Sequence, residues 1–253
     1  MCYDADAVPP FYGPPVTTVT TESLTLTSAD GALFAGFLAR PEDSNGVGVL
    51  VLPDNRGLSG FYEQFATRLA EQGYTALAID YFGRTAGLDY RDRGEDFFLM
   101  ENLMAGHLSK LTRDGLFGDF AAAIDVLRND CRTVASIGFC MGGRFAFQTA
   151  AARFGLSGVI GLYGYPGPLN GRPGPAQETA EMKAPILALW GGGDEGIPES
   201  VVASFDDALT AAGVEHEFVT YPGAPHGFFE LRTSEFEDAC ADVWRRVLAF
   251  LSR

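Results

Sequence analysis

Short, continuous apolar runs alternate with amphipathic stretches along most of this chain, and that alternation is the tightest constraint on its fold. Val47-Gly48-Val49-Leu50-Val51-Leu52 has the character of a strand buried on both faces. An amphipathic helix from about Phe61 to Gln72 follows, stops at Gly73, and gives way to a second buried strand over Tyr74 to Ile79. From Asp89 to about Leu111 the period is helical, with Phe97, Phe98, Met100, Leu103 and Met104 forming a thick apolar face. Another helix, from about Leu116 to Asn129, turns Phe120, Ala121, Ile124 and Leu127 inward. Strand-like runs recur at Thr133 to Phe139, Gly158 to Tyr163, Ile186 to Trp190 and Glu215 to Tyr221. Helices are expected at Gly142 to Arg153, Pro198 to Ala212 and Glu235 to Leu251.

This order predicts right-handed crossovers and an α/β fold, a mostly parallel, doubly wound sheet with helices on both faces. The segment Thr17 to Thr27, rich in Thr and Val, and the segment Ala32 to Ala39 flank the turn signal Ala29-Asp30-Gly31 and read as an N-terminal antiparallel hairpin at a sheet edge. The stretch Tyr165 to Gln177, dense in Pro and Gly, is expected to loop over the sheet's carboxyl edge. No internal repeat or low-complexity tract interrupts the pattern. A single domain over residues 1–253 is expected, with Met1 to Val16 as an extended N-terminal segment.

Charge and cysteine usage remove several function classes. Lys and Arg total 18 against 33 Asp and Glu, a formal charge of -15. A field of that sign repels nucleic acid and anionic membranes, and no basic run offsets it locally, so a small-molecule partner is expected. No apolar stretch approaches the roughly 18 residues that span a bilayer, and the acidic, Pro-containing N-terminus does not read as a secretory signal. The four cysteines, Cys2, Cys131, Cys140 and Cys240, match neither a metal-ligand spacing nor C-x-x-C. The expectation is a cytoplasmic protein with free thiols and no metal or cofactor.

Ile137-Gly138-Phe139-Cys140-Met141-Gly142-Gly143 follows an expected strand and opens an expected helix. The G-x-nucleophile-x-G spacing has a mechanical cause: small residues on either side of a strained turn let strand and helix approach closely. The turn lifts the nucleophile above the sheet and aims the helix N-terminus at it, where backbone N–H groups stabilise a thiolate or an oxyanion. This is where an α/β-hydrolase places its nucleophile. The plainer alternative is two packing glycines around a buried structural cysteine. For Cys2, Cys131 and Cys240 the structural or incidental reading is preferred.

A thiol nucleophile needs a base, and the chain has three histidines, His107, His216 and His226. His107 falls within a helical stretch and His216 at the start of a strand, and both read as structural or solvated. His226 lies in the Pro/Gly-rich loop Tyr221-Pro222-Gly223-Ala224-Pro225-His226-Gly227-Phe228 after the last expected strand, although a helix-capping role would suit the same loop. Asp194 leaves the strand Ile186 to Trp190 through Gly191-Gly192-Gly193 and would hold His226 in one tautomer; Glu195 is its neighbouring competitor. With Asp194 the order along the chain becomes nucleophile, acid, histidine.

Together these segments resemble the dienelactone hydrolase family of the α/β-hydrolase superfamily over nearly the whole chain. Its carriers are Pro53-Asp54-Asn55-Arg56-Gly57-Leu58, Ala78-Ile79-Asp80-Tyr81-Phe82-Gly83-Arg84, Gly138-Phe139-Cys140-Met141-Gly142-Gly143, Gly191-Gly192-Gly193-Asp194 and Pro225-His226-Gly227-Phe228. The resemblance implies hydrolysis of a cyclic enol-lactone through an acyl-cysteine, without metal or cofactor. It implies oxyanion donation by the backbone N–H groups of Met141 and Asn55. It further implies an acidic residue near the thiol, matched by Asp54, a carboxylate-binding Arg84, and Tyr163 as an aromatic wall. Two positions depart from it: Asp54 stands where Glu is usual, and Glu230 stands where a second arginine is usual, with Arg232 beyond. A broader esterase or thioesterase, a non-catalytic ligand-binding protein and a thiol redox sensor are the other readings.

Overall fold

A computed structural model describes residues 3, 6–10, 12–230 and 234–253. The chain divides into two compact units, one over Pro14–Val134 and one over Ala135–Arg253 together with the described residues up to Gly13.

In the first unit, β1 (Val19–Thr27) and β2 (Leu33–Pro41) form the expected antiparallel hairpin, in register from Val19 opposite Pro41 to Thr27 opposite Leu33. Its turn closes through the Ser28 N–H to the Ala32 carbonyl at 2.8 Å and the Ala32 N–H to the Asp30 carboxylate at 3.0 Å. β2 continues antiparallel onto β4 (Thr75–Ile79), and β3 (Val47–Leu52) lies parallel to β4 on its other side. The continuous apolar run of β3 is explained by its burial: Val49, Leu50, Val51 and Leu52 are all solvent-free. The helix Gly60–Glu71 packs Phe61, Tyr62, Phe65 and Leu69 toward β2 and β4. The helix Arg113–Asp130, capped by the Thr112 hydroxyl on the Gly115 N–H at 3.2 Å, buries Leu116, Phe120, Ile124 and Leu127.

The single helix expected over Asp89 to Leu111 does not form. The stretch is broken into a 3₁₀ turn at Tyr90–Asp92, short α-helical turns at Glu95–Phe98 and Met100–Asn102, a π-helical turn at Leu103–His107 and a 3₁₀ turn at Leu108–Lys110. Its apolar face splits accordingly, with Phe97 and Leu103 buried while Leu99, Met100 and Met104 are exposed. The cause is a tertiary contact. The side chain of Arg93 lies in the interior and forks onto the Asp80 carboxylate at 2.6 and 3.0 Å, and Gly94 and Leu99 turn extended on either side of the Phe97 turn.

In the second unit β5 (Thr133–Phe139), β6 (Gly158–Leu162), β7 (Ile186–Gly191) and β8 (His216–Tyr221) run parallel in that order. Phe139 pairs with Leu162 and Gly191 with Tyr221, so the loops that leave all four strands emerge at one edge, where open α/β sheets bind ligands. The helix Met141–Thr149 and the terminal helix Glu237–Leu251 pack on β6, and Glu199–Ala212 on β8. Phe147, Trp190, Phe205 and Phe218 form a ring cluster, with centroids 4.7 Å apart for Trp190 and Phe218 and 5.1 Å for Phe147 and Phe205. The helix after β5 is shorter than expected and is followed by a 3₁₀ turn at Ala152–Phe154 that ends at left-handed Gly155. The Tyr165 to Gln177 loop is tied to that helix by Arg144, which donates to the carbonyls of Tyr165, Gly167 and Pro173 at 2.9, 2.5 and 3.2 Å. No helix among the described residues is long and apolar enough to cross a membrane.

Candidate active site

Cys140 follows the last residue of β5 and has φ 54° and ψ −113°, a region that L residues other than glycine rarely occupy. The turn is held by the Cys140 N–H on the Leu162 carbonyl at 2.9 Å and by the Arg144 N–H on the Cys140 carbonyl at 3.0 Å. A Cβ at Gly138 would lie 2.0 Å from the Gly142 carbonyl oxygen, so strand and helix approach as closely as the spacing of glycines predicts. Cys140 is the N-cap of the helix Met141–Thr149, whose first-turn N–H groups have no partner within the helix and favour negative charge on the thiol side. Its side chain is half-buried. Cys131 and Cys240 are fully buried, and burial raises the pKa of both, that of Cys240 to about 11. Cys240 donates to the Phe228 carbonyl at 3.3 Å, a structural contact. Cys2 lies outside the described residues.

Asp194 sits on the turn after β7 and divides its oxygens. Oδ1 accepts the Gly196 N–H at 2.9 Å, and Oδ2 meets Nδ1 of His226 at 2.5 Å. The loops can come this close because Gly191 has no side chain, since a Cβ there would lie 2.2 Å from the Ala224 carbonyl oxygen. Asp194 is buried, whereas its neighbour Glu195 is exposed and has no part in the contact. With Nδ1 engaged by Asp194, Nε2 is the nitrogen left for Cys140, whose side chain hydrogen-bonds the imidazole. Burial disfavours a charged ring, but the hydrogen bonds and charges of Asp194 and Cys140 outweigh it and push the His226 pKa up to about 9.

Tyr163 leaves β6 with φ 39° and is fully buried. Its ring meets the imidazole of His226 in a T-shaped contact at 5.1 Å, and that of Phe228 at 5.8 Å. Sequence reasoning missed Tyr3 altogether. It is buried, its hydroxyl bonds that of Tyr163, and it donates to the Phe229 carbonyl at 3.0 Å. Nothing local marks a lone tyrosine in a Pro-containing tail. The structure thus gathers Cys140, Met141, Tyr163, Asp194 and His226 within one compact unit.

The model of the dienelactone hydrolase family matches residues 34–253, which spans both units. The chain belongs to the dienelactone hydrolase family. A protein of Salmonella typhimurium provisionally named carboxymethylenebutenolidase is 29% identical, over 88% of this chain and 89% of that one. One from Synechocystis with the same provisional name is 30% identical, over 84% and 89%. A crystal structure from Klebsiella pneumoniae, provisionally described as a dienelactone hydrolase, has a TM-score of 0.81 at 26% identity and covers 93% of this chain and 99% of that chain. The fold is therefore that of the α/β-hydrolases, and the dienelactone hydrolase family makes this chain a hydrolase.

The remaining family-matched positions lie in the first unit and have partners of their own there. Asp54 is buried and builds the turn after β3. Its carboxylate accepts the Arg56 N–H at 2.9 Å, its carbonyl the Gly57 N–H at 3.2 Å, and its own N–H donates to the Tyr62 hydroxyl at 2.9 Å. Asn55 is held inside that turn, and the Arg56 guanidinium sits 5.8 Å from the Phe98 ring centroid. Arg84 is engaged by two carboxylates: Asp119 at 2.5 Å, and Asp30 through both oxygens at 3.0 and 3.1 Å. Those hydrogen bonds, Asp119's first, raise its pKa against the cost of burial. Glu230 is buried and accepts the Val8 N–H at 3.4 Å, while Arg232 lies outside the described residues. His107 pairs with the Thr85 hydroxyl at 3.0 Å, and His216 with the Val214 carbonyl at 2.7 Å and Asp206 at 3.1 Å.

Proposed function

We propose that the chain is a cysteine hydrolase that cleaves an enol-lactone or activated ester through an acyl-cysteine. The observation that carries this reading is the His226 ring, fixed by Asp194 on one nitrogen and hydrogen-bonded to a thiol at a left-handed elbow on its other side. In the first step the Cys140 sulfur bonds to the carbonyl carbon. The tetrahedral oxyanion is taken by the Met141 N–H at the start of the helix Met141–Thr149. As the carbon–oxygen bond to the leaving group breaks, His226 gives that oxygen its proton. In the second step neutral His226 takes a proton from water, the resulting hydroxide attacks the thioester, and the carbon–sulfur bond breaks to release the acid and the thiol.

Leaving-group chemistry narrows the substrate. In the tetrahedral intermediate a thiolate departs more readily than an alkoxide, so attack on a plain alkyl ester mostly reverts. A stabilised enolate or phenolate competes with the thiolate for departure and lets the reaction proceed. The engagement of Arg84 by Asp119 and Asp30 favours a second reading alongside the first, an esterase with no need for a carboxylate on its substrate. Steady-state hydrolysis of a carboxylate-bearing enol-lactone and of an uncharged phenyl ester, by wild type and Cys140→Ala, tests both. Activity lost in the variant supports cysteine hydrolysis, and the ratio between substrates chooses the class. Activity that survives the substitution removes Cys140 from its role.

A further inference from the structure

The residues before Leu33 lie outside the part of the chain matched by the family model, yet one of them reaches the triad. Tyr3 is 5% exposed, and its ring stands edge-on to that of Phe139, the residue before Cys140, at 6.3 Å. Its hydroxyl donates to the carbonyl of Phe229, three residues beyond His226, at 3.0 Å, and bonds the hydroxyl of Tyr163. With the Tyr3 proton on the Phe229 carbonyl, Tyr163 is the donor in the hydroxyl pair. One oxygen atom thus ties the histidine loop to the ring that packs on the imidazole. A second tie runs in the same direction, from the Val8 N–H to the Glu230 carboxylate at 3.4 Å.

We infer that Tyr3 is a positioning residue for the Cys140–His226 pair, its hydroxyl clamping Tyr163 and the Phe229 carbonyl together so that the imidazole has one orientation toward the thiol. The inference rests on the reading of Cys140 and His226 as the reacting pair. Its physical basis is that Tyr163 is held at φ 39°, a conformation the chain leaves readily when contacts release it. T-shaped ring contacts depend on orientation, so a small rotation of Tyr163 withdraws support from the His226 ring. Removing the Tyr3 oxygen takes away the acceptor for the Tyr163 proton and the donor to the histidine loop in one step.

The test uses full-length Tyr3→Phe, Tyr163→Phe and the double variant, with two readouts. One is hydrolysis of an uncharged phenyl ester. The other is the pH dependence of Cys140 alkylation by iodoacetamide, with the modified cysteine located by mass spectrometry. Tyr3→Phe is expected to lower kcat and the alkylation rate at neutral pH about tenfold, with KM within about twofold. The inflection that His226 titration places on the alkylation profile should move down by about half a unit or more. Tyr163→Phe should do the same, and the double variant should be no worse than either single one, as members of one network behave. A Tyr3→Phe enzyme matching wild type in kcat and in the alkylation profile overturns the clamp, and so does full additivity in the double variant. Thermal melting reports folding; if Tyr3→Phe does not fold, wild-type kinetics in Tyr163→Phe overturn the inference by themselves. If wild type hydrolyses nothing while Tyr3→Phe still shifts the alkylation profile, the clamp stands and the proposed reaction falls.

Discussion

Cys140 at φ 54° is in a conformation that costs a non-glycine residue about 1–3 kcal/mol, and the hydrogen bonds to Leu162 and Arg144 hold it there. That geometry sets the Cys140 side chain at the start of the helix Met141–Thr149 and beside the His226 ring. Asp194→Asn keeps the shape of the contact but removes the charge that stabilises the imidazolium. It should lower kcat/KM by about a thousandfold, and the basic limb of the pH profile should move down from near 9, read by steady-state kinetics across pH. The same ring links pH to stability. An unfolded histidine titrates near ~6.5, so the stability contributed by charged His226 is complete below that pH and is lost as pH rises through about 9. Melting temperatures of wild type should fall more steeply over that window than those of His226→Gln. Cys140, Asp194 and His226 could be proposed from the sequence because each lies within five residues of the end of a strand that local signals reveal. Tyr3 could not, because its partners come from remote loops.

Two elements show how backbone and charge position the loops. At the elbow, an alanine at 138 would bring its Cβ to 2.0 Å from a backbone oxygen that no side-chain rotation can move. Gly138→Ala should cost roughly 3 kcal/mol or more and remove Cys140 reactivity even in molecules that fold, measurable by denaturant melts and thiol alkylation. After β4, the Asp80 carboxylate accepts the Leu58 and Phe82 N–H groups at 3.0 and 2.8 Å as well as the Arg93 fork. Arg93→Met would leave that carboxylate buried without its cation and should destabilise by about 3–5 kcal/mol in a urea titration. This ion pair is also why the helical period of Asp89 to Leu111 misled. Periodicity records which residues are apolar, but one arginine drawn inward to a carboxylate across the fold is enough to break the helix.

For the molecule as a whole, a charge of -15 acts on any anionic substrate before it reaches the thiol. The kcat/KM for a carboxylate-bearing ester should rise severalfold as salt increases from about 10 to about 300 mM, and that for an uncharged ester should stay nearly flat. A salt-independent rate for the anionic ester would show that local cations offset the field. Arg84 is a weak candidate for that offset because Asp119 and Asp30 already neutralise it.

The strands of both units, the main helices and the chain order of Cys140, Asp194 and His226 were determined by the sequence alone. Buried strands need apolar runs, helices need a period, and a strained turn between them needs glycine, all written within a few residues of one another. Tertiary structure decided what each charged or polar group meets: Arg84 with Asp119 across 35 positions, Arg93 with Asp80, Tyr3 with Tyr163 across 160. Such pairings depend on which loops arrive together and on how many donors and acceptors each brings, and neither leaves a trace in local spacing.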